Sequence, residues 1–140
     1  MKKRKKIIAI GLLLIVIAAG FGFYQYTRQP ADIRRESADI KINAEELVQA
    51  FNHDEGQANS SYVDKVLLVT GKLKQVDYNS SGQATVQLEA GDPLVSVICN
   101  FYKEETPLLK SLAIGSTVHV KGICTGKLID VVLNKCSMSK

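Results

Sequence analysis

With 140 residues, 18 basic and 14 acidic side chains and a formal charge of +4, the chain has room for one domain of about 100 residues beside a terminal segment, and not for two. The basic balance belongs to the N-terminus: from Asn43 to Lys140, nine lysines and no arginine stand against eleven acids, a net of −2. That composition excludes a globally basic, phosphate-neutralising surface, although it leaves a local patch open.

Five consecutive cations, Lys2 to Lys6, precede an uninterrupted apolar run from Ile7 to Tyr24. At about 1.5 Å per residue such a run makes roughly 27 Å of helix, close to the thickness of a hydrocarbon core. Tyr24 and Tyr26 suit the interface at its far end. The near flank is purely basic, whereas Arg28, Arg34, Arg35 and Lys41 on the far flank are mixed with Asp32, Glu36 and Asp39. The positive-inside rule then places the N-terminus in the cytoplasm. A cleaved secretory signal ending near Ala18-Ala19-Gly20 is the rival reading, and both put the remaining chain outside the cytoplasm. The expected organisation is a cytoplasmic basic tail at 1–6, a transmembrane helix at 7–26, a tether at 27–42 containing Pro30, and a folded domain at 43–140.

The domain opens with a helix signal. Asn43 is a cap, Glu46 completes a capping box, Ile42 and Leu47 form a staple, and Ala44, Leu47, Val48 and Phe51 make one apolar stripe. After a polar break at 56–61 the periodicity becomes that of strands. A long β-branched run, Val66 to Asp77, is interrupted by Gly71, which permits a bend or bulge. A hairpin turn is expected at Asn79-Ser80-Ser81-Gly82. Ala84, Val86 and Leu88 alternate with Thr85, Gln87 and Glu89 in a second strand, and Val95, Val97, Cys99 and Phe101 mark a third. Thr106 to Leu112, with Pro107 at the first helical position, reads as a short helix. Val118, Val120 and Gly122 lie in a fourth strand, Thr125-Gly126-Lys127 is the expected turn, and a fifth strand runs from Leu128 to about Met138.

Three strands, a short helix and two more strands follow the order of the five-stranded OB-fold barrel, here preceded by an N-terminal helix and one transmembrane helix. Leu112-Ala113-Ile114-Gly115-Ser116-Thr117-Val118-His119-Val120-Lys121-Gly122 carries an L-x-x-G-x-x-V-x-V-x-G pattern common in such barrels. Together with Ala44-x-x-Leu47-Val48-x-Ala50-Phe51, Tyr62, Val69-Thr70-Gly71, Cys99, Gly122-Ile123-Cys124 and Leu133-Asn134-Lys135-Cys136, it resembles the tRNA_anti-like family over about 43–138. The resemblance implies the fold and transfers no activity, because one barrel carries many functions.

In this barrel order the third and fifth strands run parallel and adjacent, so Cys99 and Cys136 are the candidate disulfide. Cys124 and Cys136 start far apart along a hairpin. Three reduced, buried cysteines are the alternative. Zinc bound by the cysteines and His119 lacks any close ligand pair, and His119 alternates onto the face opposite Val118 and Val120. No metal, no cofactor and no catalytic constellation is expected. Candidate ligand residues are Tyr78 and Tyr102, near strand ends, with Lys72, Lys74, Lys103 and Lys121 as the nearest cations. Two functions follow. One is a membrane-anchored extracytoplasmic binding or protein-interaction module for an unidentified protein or small ligand. The alternative is a single-stranded nucleic-acid binder.

Overall fold

The computed structural model describes residues 2–27 and 32–140, with backbone only for Tyr26 and Thr27. Met1 and residues 28–31, including Arg28 and Pro30 of the expected tether, lie outside the described residues. Two compact units emerge, divided between Asp32 and Ile33.

In the first unit, α1 runs from Lys2 to Thr27. It is the one helix among the described residues long and apolar enough to cross a membrane. Ile7, Leu13, Ile15, Phe21 and Phe23 of this helix are all exposed.

The second unit begins earlier than expected. Ile33 is only 1% exposed, and β1 (Ile40–Asn43) pairs in parallel with Leu67–Thr70. Residues 33–42 therefore belong to the folded unit and not to a tether. Asp39 secures this join twice: its backbone N–H donates to the Val66 carbonyl at 2.8 Å, and its carboxylate accepts from the Val66 N–H at 2.9 Å. Those pairings involve residues distant in sequence, which is why local pattern did not reveal them.

Helix α2 (Ala44–His53) closes its capping box, with Glu46 Oε2 accepting from the Asn43 N–H at 3.5 Å. Ala44, Leu47, Val48 and Phe51 are buried, as the stripe implies. The expected polar break is instead α3 (Glu55–Tyr62), capped by Asp54, whose carboxylate accepts from Gln57 N–H at 3.0 Å. Only Ala58 of α3 is buried, so its formation rests on the cap and not on an amphipathic stripe.

The barrel comprises β2 (Val66–Tyr78), β3 (Ala84–Asp92), β4 (Val95–Phe101), β5 (Thr117–Lys127) and β6 (Val131–Met138). Its order is β2-β3-β4-β6-β5, closed by β2–β5 pairing; β4 and β6 are parallel, while β2–β3, β3–β4, β5–β6 and β2–β5 are antiparallel. This is the OB-fold barrel with one added strand, β1. The β2 bulge falls at Lys74, between Leu73 and Gln75, not at Gly71. Gly71 serves close packing: a Cβ there would sit 3.0 Å from the Ala44 Cβ and 3.3 Å from the Leu88 Cβ. At the β2–β3 hairpin, the Asn79 carboxamide oxygen accepts from the backbone N–H groups of Ser81 and Gln83, and Gly82 takes φ +80°. The expected helix at 106–112 is a 3-10 turn (Lys103–Glu105) followed by α4 (Thr106–Leu109). β5 extends through the expected turn to Lys127, so the chain reverses at 128–130.

Candidate ligand face of the barrel

Barrels of this fold bind ligands on the face of their second and third strands and on the loops flanking it. Here those strands are β3 and β4. Their alternation turns Ala84, Val86, Leu88, Val97, Cys99 and Phe101 into the core. Thr85, Gln87, Ile98 and Asn100 are left half-buried on the other side.

The outward side chains form a hydrogen-bonded polar row. Thr85 Oγ1 donates to Asn100 Oδ1 at 3.0 Å, and Asn100 Nδ2 donates to Asn134 Oδ1 at 2.8 Å. Asp77 pairs in register with Thr85 and accepts from Gln75 Nε2 at 2.7 Å and Gln87 Nε2 at 3.5 Å. Four strands thus contribute amides, one hydroxyl and one carboxylate to a shared surface. The β-sheet period already placed Thr85 and Gln87 on a solvent face. Asn100 and Asn134 escaped notice because they meet only across the parallel β4–β6 pairing.

The expected ligand residues do not converge on this row. Lys74 donates to Ser96 Oγ at 3.1 Å beside Glu89, and Lys72 lines a neighbouring groove with Asn43, Glu45, Thr70 and Glu89. Lys121 donates to the carbonyls of Arg34 and Glu36 at 3.1 and 2.6 Å, anchoring the start of the folded unit. The Arg34 guanidinium lies 4.9 Å from the centre of the Tyr102 ring, a cation–π arrangement. Lys103 is exposed near the β2–β3 hairpin, its Cε 3.9 Å from where a Gly82 Cβ would stand. Tyr78, 46% exposed, ends β2 at that same hairpin. The six residues therefore divide: Lys72 and Lys74 neighbour Glu89, Tyr78 and Lys103 flank the hairpin, and Tyr102 and Lys121 meet Arg34. Arg34 was missed because it lay in a segment read as tether.

At the opposite end of β3 and β4, Leu94 in the β3–β4 turn and Leu128 and Ile129 in the β5–β6 turn are 84, 92 and 74% exposed. Asp130 draws the two turns together, accepting from the Ser96 N–H at 2.7 Å.

The three cysteines are free thiols in this structure, and the strands that carry the candidate Cys99–Cys136 pair are parallel neighbours as expected. All three lie inside the barrel, whereas His119 Nδ1 and Thr70 Oγ1 share a hydrogen bond of 2.8 Å on its exterior. Burial pushes the Cys136 thiol well above the ordinary 9.0, reinforced by the neighbouring Cys99 thiol. Burial also raises Cys124, partly offset by the Gly126 N–H.

Comparisons with known proteins agree with this architecture. A solved structure described as a "putative nucleic acid-binding lipoprotein" from Klebsiella pneumoniae subsp. pneumoniae superposes with a TM-score of 0.60 at 17% identity, over 80% of this chain and 100% of that one. A "putative aspartyl-tRNA synthetase" from Leishmania major Friedlin gives a TM-score of 0.50 at 18% identity over 74% of this chain. This chain spans about a fifth of that protein, 21%. These likenesses concern the fold. No curated protein matches the sequence. The tRNA_anti-like family matches residues 1–138, and the chain belongs to that family.

Proposed function

We propose that the protein is a membrane-anchored, extracytoplasmic binding module that carries out no catalysis and presents the outward face of β2, β3, β4 and β6 to a protein or small ligand. The observation carrying this reading is the make-up of that face. Its polar row is built from Gln75, Asp77, Thr85, Gln87, Asn100 and Asn134, so its only formal charge is negative. Such a surface suits directional hydrogen bonding. The exposed apolar perimeter of α1 and the Lys2–Lys6 cluster support anchoring with the N-terminus inside. In this organisation residues 1–6 are cytoplasmic, 7–26 span the bilayer, and the folded unit stands outside.

The second reading, single-stranded nucleic-acid binding, is favoured by one grouping. Arg34, Tyr102 and Lys121 meet at one end of the barrel, with Lys103 on the adjoining turn. The name borne by the Klebsiella neighbour points the same way.

Titration of the full chain in detergent with fluorescent single-stranded oligonucleotides across a salt series separates the two. The first reading expects no binding at low salt. Micromolar affinity that falls steeply with salt, and is reduced by Lys103→Ala, would establish the second. Protease accessibility of the barrel in sealed inverted vesicles tests the orientation: protection is expected, and digestion from the cytoplasmic side would refute it.

A further inference from the structure

Inside the barrel, Cys99 and Cys136 are both fully buried and lie on the parallel strands β4 and β6. Register pairs Cys99 with Leu133 and Phe101 with Cys136, making the two cysteines diagonal neighbours. Strict alternation on β6 would carry Val131, Leu133 and residue 135 inward. A register shift intervenes between Cys99 and Phe101 on the β4 side, matched by Lys135 at φ +53°. Lysine rarely adopts that left-handed conformation. The irregularity gives β6 one additional residue, which moves Lys135 off the inward face and turns Cys136 into the core instead. Room for its sulfur comes from β5: a Cβ on Gly122 would stand 2.5 Å from Cys136 Sγ. Cys136 Sγ donates to the carbonyl of Leu133, the register partner of Cys99, at 3.4 Å. Cys124 is engaged elsewhere, beside the Gly126 N–H and Asp64.

We infer that the bulged Lys135 turn and the Gly122 gap build a disulfide site, joining Cys99 to Cys136 across the β4–β6 seam under oxidising conditions and leaving Cys124 free. This seam has no hairpin to connect its strands, so a covalent tie there closes a long loop that the backbone otherwise leaves open. The oxidant class is a disulfide, such as glutathione disulfide. One protein thiolate attacks it, forming a mixed disulfide and releasing one glutathione thiolate. The second protein thiolate then attacks the mixed disulfide and releases the other. The two thiol protons pass to the two glutathione thiolates, and the two sulfur-borne electrons reduce the glutathione pair. Because both thiols are buried, the exchange takes place while the chain is folding or transiently open. The inference rests on the barrel interior and holds whichever ligand the outer face takes.

The test refolds the reduced full chain in detergent with glutathione disulfide, alkylates it in denaturant, and counts modified thiols by intact mass. One modified cysteine is expected after oxidation and three after reduction. Non-reducing peptide mapping is expected to link the peptide of Cys99 to that of Cys136. Cys124→Ser is expected to lose the single alkylation and keep the bridge. Three alkylated cysteines in the oxidised protein, or a bridge involving Cys124, would overturn the inference. Mapping uses the unsubstituted chain, so the answer does not depend on any variant folding.

Discussion

The two sides of the same barrel strands solve opposite problems. Along β4, Val97, Cys99 and Phe101 are buried without exception, while Ile98 and Asn100 between them stay half-buried at the surface. Inside, stability comes from volume and shape, because close-packed side chains cannot move aside to accommodate change. Outside, amides and a carboxylate satisfy one another in a row that solvent can replace bond by bond. The inner side therefore holds the fold, and the outer side is free to vary with the ligand.

The sharpest break of this contrast is Phe101→Ala, which empties the largest fully buried side chain of the barrel. A loss of about 3–5 kcal/mol is expected in chemical denaturation, enough to leave much of a small domain unfolded. Gly122→Ala comes next, since its methyl group collides with the Cys136 sulfur and approaches the Leu133 Cβ to 3.1 Å. It is expected to cost roughly 1–3 kcal/mol. Adding Cys136→Ala should recover part of that loss, and simple additivity of the two substitutions would show that the crowding lies elsewhere. Asn100→Ala removes the middle of the outer row and is expected to cost only about 1 kcal/mol. A loss as large as that of Phe101→Ala would erase the distinction between the two sides.

The smallest effect concerns pH. Unfolded thiols ionise near the ordinary 9.0, whereas those of Cys124 and Cys136 are held higher in the fold. The unfolded chain therefore releases protons first, and stability should be level from pH 7 to 8 and decline as pH rises past about 9. Denaturant midpoints of reduced protein, compared with Cys124→Ser, check this; the variant should decline less.

Much of this contrast was legible in advance. Alternation alone separated Ala84, Val86 and Leu88 from Thr85 and Gln87, and the Asn43–Glu46 spacing marked the start of α2. Asp54 is also a readable cap, but α3 lacks a stripe and so offered no periodic signal. The ligand residues fared differently. Lys72, Lys74, Lys103 and Lys121 were grouped by proximity to strands, yet neighbours along strands are dispersed around a closed barrel by its curvature. The start of the folded unit was obscured as well, since Ile33 is flanked by the charged side chains of Asp32, Arg34 and Arg35.

By itself, the sequence determined what depends on nearest neighbours: the apolar helix after five cations, the strand periods, the caps and the hairpin at Asn79. Each is set by local sterics or by a pattern repeated over a few residues. Only the tertiary structure decided what depends on residues far apart in the chain. It brought β1 against β2, Asn100 against Asn134, Arg34 against Tyr102, and the Cys136 sulfur into the space left by Gly122. Those contacts are fixed by barrel closure and by a single-residue bulge, and a one-residue shift in a strand reverses which side each side chain faces.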